Sequence, residues 1–338
     1  MAAITSSPSP TALDRARAWV RARNIPPVYG ILVIIFLASI LLDLFFGIDD
    51  QLFIFNPTIL TNILVRSVAL GIVAVGQTFV MIGASIDLSV AYTVSVTAVG
   101  ASFLMAGEPD RVWWTVLVLI AIGIVIGLLN GTIITKLKVN PLIATLGVGL
   151  ILKGLLNATF TNFAGSVPSS FQSFAYDAIG PVPISVLVLF GVVLVGWFIL
   201  RRTRYGAHLY AVGGNAEGAR LSGLHTDRIL TLAHVMCSVT AVLTGLFVVS
   251  RLRSGAPWVG TDGLYDLESI AATVIGGTAL SGGKGGVWGT LAGVLIFSLL
   301  DTMFNQIGID AYLKQILRGA IIILAVGFYT FRSKAEQG

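Results

Sequence analysis

An all-α polytopic membrane protein is the fold class this sequence predicts, on three observations. Of its 338 residues, 56% are hydrophobic and only 11% charged, where a soluble domain carries about 25% charged residues. Mean hydropathy is +0.91, and apolar runs of membrane-spanning length recur from one end to the other. The 38 glycines suit close helix packing and broken helices inside a bundle.

Residues 1–27 read as a basic tail rich in Ser and Pro, with Arg15, Arg17, Arg21 and Arg23. The apolar run behind it, 29–48, is too long for a signal peptide and has no clear small-residue cleavage site, so it predicts a first membrane helix. Asp49 and Asp50 mark its exit. Further spans are predicted at 60–84, 88–106, 113–135, 142–160, 183–200, 229–250, 265–280, 287–306 and 312–331. That makes about ten, some broken or short, because Gly, Ser and Thr interrupt the second and the eighth. Between the fifth and the sixth, residues 161–183 are rich in Ser, Phe and Pro. They form either a connector or a short amphipathic helix on the outer face that meets an extracytoplasmic partner.

Orientation follows from counting charge. With the N-terminus inside, the tail and the connections 136–140, 201–228, 281–286 and 331–338 share one side and hold 14 of the 21 Lys+Arg. The positive-inside rule then puts both termini in the cytoplasm. Asp177, Asp262 and Asp310 fall outside. The organisation is a cytoplasmic tail (1–27), one transmembrane domain (28–331) and a short cytoplasmic tail (332–338). This bias toward the inner face, in contact with membrane lipid, accounts for the net charge of +5 and calls for no nucleic acid.

The chain is organised around Arg201–Arg228, RRTRYGAHLYAVGGNAEGARLSGLHTDR, which carries five arginines, two acids and two histidines. It is too polar for hydrocarbon and predicts a folded loop at the membrane surface. Leu209, Tyr210, Ala211 and Val212 are apolar enough to anchor a short helix. Gly213 and Gly214 predict a turn that tolerates positive φ, and Asn215 a cap. Ala216–Leu224 predicts a second short helix, presenting Ala219 to a partner's groove and Arg220 to a carboxylate, with Ser222 and Gly223 at its end. The expectation is that a soluble partner docks here and supplies the energy for transport.

Ionisable groups within spans are costly and point to function. Asp87, in GASIDLSV, either caps the helix that follows or faces a transport path; Gln77 and Ser89 lie on the same stretch. Glu268 opens a small-residue span in which Gly276 and Gly277 predict close helix approach. Asn305 and Gln306, at the outer end of the ninth span, either hydrogen-bond a hydroxylated ligand or bridge helices. These six residues form the candidate translocation path.

Several chemistries are excluded. SGGKGG, around Lys284, lacks the P-loop spacing and has Gly285 where Ser or Thr is needed, so the chain is not expected to bind ATP. No HExxH, CxxC or GxSxG occurs, and the histidines are scattered. No catalytic residue, metal ligand or bound cofactor is expected, and the one cysteine, Cys237, rules out a disulfide within the chain.

Four stretches carry a resemblance. GQTFVMIGASIDLSV (76–90), NPLIATLGVGLILKG (140–154), TRYGAHLYAVGGNAEGARLSGL (203–224) and ESIAATVIGGTALSGGKGGVWGTLAG (268–293) occur in this order. Together they resemble the bacterial sugar ABC-transporter permeases of the ribose, arabinose, xylose and galactose import group. The resemblance covers about 60–331 and is specific for the family, not for one sugar. Departures are Ala84 and Ser85 before Ile86-Asp87, Ala91 and Gly218 where Gly and Ala are common, and Glu268 where Asp is usual.

The resemblance implies an inner-membrane permease subunit of an importer. A second permease subunit, identical or not, completes the pore. Cytoplasmic ABC ATPase subunits use ATP and Mg2+ to drive it, and a periplasmic binding protein delivers a monosaccharide. Two other classes compete. A stand-alone secondary transporter or channel would show stronger repeat symmetry than MIGASIDLS and VIGGTALSG provide. A membrane enzyme acting on lipid-linked sugar would need an acid/base pair at a membrane face.

Overall fold

The computed structural model describes residues 27–46 and 57–335. The expectations for the N-terminal tail, for Asp49 and Asp50, and for the last three residues lie outside them. The helices are α1 (Pro27–Phe46), α2 (Pro57–Ile82), α3 (Val90–Met105), α4 (Val112–Lys136), α5 (Pro141–Thr159), α6 (Ser169–Tyr176), α7 (Ile184–Arg202), α8 (Arg204–Gly214), α9 (Ala216–Leu221), α10 (Thr226–Leu252), α11 (Val259–Asp262), α12 (Tyr265–Ile275), α13 (Val287–Gln306) and α14 (Ala311–Ala335). A two-residue antiparallel ladder pairs β1 (Ala178–Ile179) with β2 (Val182–Pro183).

Among the described residues six helices are long and apolar enough to cross a membrane: α2, α4 with the 3-10 turn before it, α5, α7, α10 and α13. Helices occupy all ten predicted segments, but not all at full length. The break falls at Gly83, Ala84 and Ser85, beyond the other Gly, Ser and Thr that interrupt the second span. α2 is continuous to Ile82, and α3 beyond is only 16 residues. The eighth is shorter still, because α12 stops at Ile275 after 11 residues.

Local chemistry sets both breaks. After α2, Ala84 takes a left-handed φ of 58° and the chain stays non-helical until Ser89. After α12, Gly277, Gly282 and Gly283 have φ of 88°, 84° and 72°, which residues with a Cβ rarely adopt. Segment 161–183 contains the short helix α6, tied to the end of α10 by the Tyr176 hydroxyl donating to the Arg251 carbonyl at 2.7 Å.

α10 is the centre of the bundle. Inside the bundle lies 72% of its apolar window, and 61% of that of α2, against 28% for each of α4, α5 and α7. The outer helices turn large apolar side chains outward, such as Leu117, Val125, Ile151 and Val195, as lipid-facing helices do. α4 lies against α10 along Gly123, Gly127 and Gly131. A Cβ on Gly131 would stand 2.6 Å from the Thr231 Cα, so the two backbones touch there. The break after α2, the turn after α12 and the helices α8 and α9 gather at one end of the bundle, called here the loop end. α6 and the start of α12 lie at the far end, and α11 packs against Ala91 and Ser95 in the first turns of α3.

Candidate translocation and coupling sites

Three polar constructions stand out in the apolar bundle. The first surrounds Asp87, fully buried in the break between α2 and α3. One carboxylate oxygen accepts from the Ser89 backbone N–H at 2.9 Å and from its hydroxyl at 2.6 Å, which pins the chain entering α3. The other lies 3.1 Å from His234 Nδ1 on α10. Asn130 on α4 donates to Ser89 Oγ at 2.8 Å and reaches both carboxylate oxygens at 3.3–3.4 Å. His234 Nε2 meets Ser85 Oγ at 3.0 Å. The Gln77 amide, oriented to satisfy both its atoms, brackets the Asp87 backbone, donating to its carbonyl and accepting from its N–H at 3.2 Å each. Gln77, Asp87 and Ser89 are thus brought together, all fully buried. A buried polar group with partners on this many elements holds them in register. In the sequence His234 is only one of three scattered histidines, and sequence reasoning missed Asn130, whose partner lies 43 residues away.

The second construction is a junction of three backbones at the loop end. The Gly283 N–H donates to the Ile82 carbonyl at 2.9 Å. Gly213 of α8 packs so closely on Ile82 and Gly283 that a Cβ on it would overlap the Ile82 carbonyl, and one on Gly283 would stand 2.8 Å from the Gly214 Cα. Tyr210 of α8 donates its hydroxyl to the Gly285 carbonyl at 2.8 Å. The surface loop therefore rests directly on both breaks. Gly213 and Gly214 do not form a turn with positive φ. Helix α8 runs through them, and the change of direction falls at Asn215 (φ −157°, ψ 96°), because a close backbone approach is what these glycines serve.

Beyond the junction, Asn215 caps α9 by accepting from the Gly218 N–H at 2.8 Å. Helix α9 ends at Leu221, so the predicted second helix is shorter than 216–224; Ser222 and Gly223 form its exit, with Gly223 at φ 84°. Ala219 is buried and belongs to the apolar core that continues into the bundle. Arg220 is paired with Glu217, and this hydrogen bond holds the Glu217 carboxyl below its usual range. The residue that projects is Leu221, 75% exposed on a polar helix. Its signal in the sequence was a lone large apolar residue between Arg220 and Ser222.

The third construction lies at the far end. Arg66 of α2 reaches Asp301 of α13 at 3.0 Å, Asp301 also pairs with Arg318 of α14, and Arg318 lies 3.0 Å from Glu268 of α12. Asn305 accepts from Lys314 at 2.6 Å and donates to the Asp301 carbonyl at 2.8 Å, so it bridges helices here. Glu268 and Asn305 belong to this one cluster, while Gln306 lies half-buried at the end of α13. The path candidates therefore divide between two sites.

Comparisons with known proteins fit this architecture. The family described as "Branched-chain amino acid transport system / permease component" matches residues 59–326. The ribose import permease protein RbsC of Escherichia coli K12 is 35% identical over 317 residues, covering 92% of this chain and 94% of that protein. RbsC of Bacillus subtilis is 33% identical, covering 90% and 92%. The galactose/methyl galactoside import permease protein MglC of Escherichia coli K12 is 33% identical, covering 79% and 84%. No solved structure matches. With its broken helices, its loop seated on both breaks and relatives matched over most of their length, the chain belongs to this family of transport-system permease components.

Proposed function

We propose that this protein is the membrane permease subunit of a binding-protein-dependent ABC importer for a monosaccharide of the pentose or hexose class. The relatives' names specify ribose and galactose, while the family description specifies branched-chain amino acids. The full-length likeness to the sugar permeases decides for sugar. The subunit sits in the bacterial inner membrane as one transmembrane domain. The ten helical segments thread it with both termini in the cytoplasm, and α3 and α12 are the short passes. A second permease subunit completes the conduit, and a periplasmic sugar-binding protein meets the far end near α6. Cytoplasmic ATPase subunits, using ATP and Mg2+, dock on the loop end at α8 and α9. The permease does no chemistry of its own.

The observation that carries this reading is the backbone junction of Gly213, Ile82 and Gly283. A displacement of α8 by a docked partner reaches both broken helices with no side chain between to absorb it, because packed interiors transmit strain. Glycine-lined breaks are where helices bend.

The test is uptake of labelled ribose and galactose by cells that express the permease together with its partner ATPase and binding protein. Leu221→Asp is expected to abolish uptake and sugar-stimulated ATP hydrolysis together, at an unchanged level of permease in the membrane. Uptake that needs no ATPase and collapses with an uncoupler would overturn the proposal in favour of a secondary transporter.

A further inference from the structure

The charge cluster at the far end opens on a cavity of about 580 Å³, within the range of small-molecule sites. Arg66, Arg251 and Arg318 line it together with Asp262, Glu268 and Asp301, so its formal charges balance. Tyr265 and Phe297 form part of the wall, and Phe163 and Trp258 stand edge to face, 5.6 Å between centroids, both exposed to solvent. A balanced lining offers no net attraction to a ligand of net charge. A neutral polyol gains from it, because each hydroxyl donates to a carboxylate and accepts from a guanidinium, and the aromatic rings offer apolar faces to its C–H groups.

Glu268 supplies the second observation. It is 7% exposed, and its Oε1 is held 3.0 Å from an Arg318 guanidinium nitrogen as an ion pair that lacks hydrogen-bond alignment. A buried carboxylate oxygen without an aligned donor is costly, and one on a cavity wall is corrected by a ligand that donates.

The geometry points to this cavity as a saccharide site on the permease itself, with Glu268 accepting from one sugar hydroxyl, Arg318 donating to another, and Trp258 closing over the ring. The inference rests on the monosaccharide reading above. It adds where the permease holds the sugar and which residues read it. The ion pairs joining α2, α12, α13 and α14 are then the contacts a sugar exchanges with as it enters.

The experiment uses the full chain in lipid nanodiscs, titrated with D-ribose, D-galactose and, in parallel, L-leucine, and followed by calorimetry. The complete importer is assayed for ribose and galactose uptake beside it. One of the two sugars is expected to bind to the permease alone, and Glu268→Gln to weaken it about tenfold or more. Because Glu268→Gln is buried and can fail to fold, Trp258→Ala, at the exposed mouth, is measured as well and is expected to weaken binding while leaving thermal stability unchanged. If the importer takes up sugar but Trp258→Ala changes neither binding nor the sugar concentration giving half-maximal uptake, this inference fails and the proposed function stands. If leucine binds and is imported while neither sugar is, both fail.

Discussion

The Gly283 N–H donates to the carbonyl oxygen of Ile82 across 2.9 Å. Ile82 ends α2, so its carbonyl has lost the partner that another helical turn would supply. Gly283 belongs to the turn after α12, and its φ of 72° turns its N–H toward that carbonyl. One break thus satisfies the other, and neither segment can shift alone without stranding a buried polar group.

The turn after α12 predicts different outcomes for adjacent glycines. A Cβ on Gly276 would stand 2.5 Å from the Gly289 backbone, whereas one on Gly277 meets nothing within 4 Å. Gly276→Ala should cost about 1–3 kcal/mol through overpacking. At Gly277 (φ 88°) the cost of Gly277→Ala is conformational, about 1–2 kcal/mol, and Gly277→Asn should recover part of it. Thermal unfolding in detergent checks this; equal losses from Gly277→Ala and Gly277→Asn would contradict the backbone account.

Asp87→Ala should destabilise the bundle by about 3 kcal/mol or more, because it leaves His234, Ser89 and Asn130 facing an emptied site. Asp87→Asn, which keeps an acceptor for Ser89, should cost less. A wild-type melting temperature for Asp87→Ala would show that the network does not hold α2, α3, α4 and α10 in register.

Two loop substitutions should separate folding from docking. Ala219 is buried, so Ala219→Trp should lower stability by about 1–3 kcal/mol before any partner is involved. Leu221 is exposed, so Leu221→Ala should change stability by no more than about 0.5 kcal/mol, yet reduce retention of the ATPase on purification. Full retention with Leu221→Ala would move the docking contact elsewhere on α8 and α9.

Topology is open to thiol labelling. Cys237, the one native cysteine, is buried. Asp177→Cys should react with an impermeant reagent on intact cells, and Asn215→Cys only after permeabilisation. The reverse pattern would invert the orientation.

Most of the architecture was legible because burying apolar side chains in lipid leaves long unbroken runs. The short passes were visible too, through Gly83 and Gly276–Gly286. Gly, Ser and Thr inside α2 mimic a break, whereas Gly71 and Gly76 serve close packing on Leu189 and Cys237. Of the candidate sites, the loop was legible as a unit, from polarity between apolar spans. Its parts were harder to read, because Ala219 and Leu221 are both apolar and only the fold shows which one faces out. The Arg66–Asp301 pair spans 235 residues of sequence, and no local pattern announces a contact at that distance.

The seam of Gly123, Gly127 and Gly131 against α10 bears on mechanics. Where backbones touch, there are no rotamers to rearrange, so α4 and α10 resist sliding past each other, as do α12 and α13, where a Cβ on Gly293 would overlap the Ala272 carbonyl oxygen. A transport cycle needs a fixed frame as much as a moving part. Such pairs are expected to move as units, with relative motion falling where side chains alone make the contact, as in the ion pairs that join α12, α13 and α14 to α2.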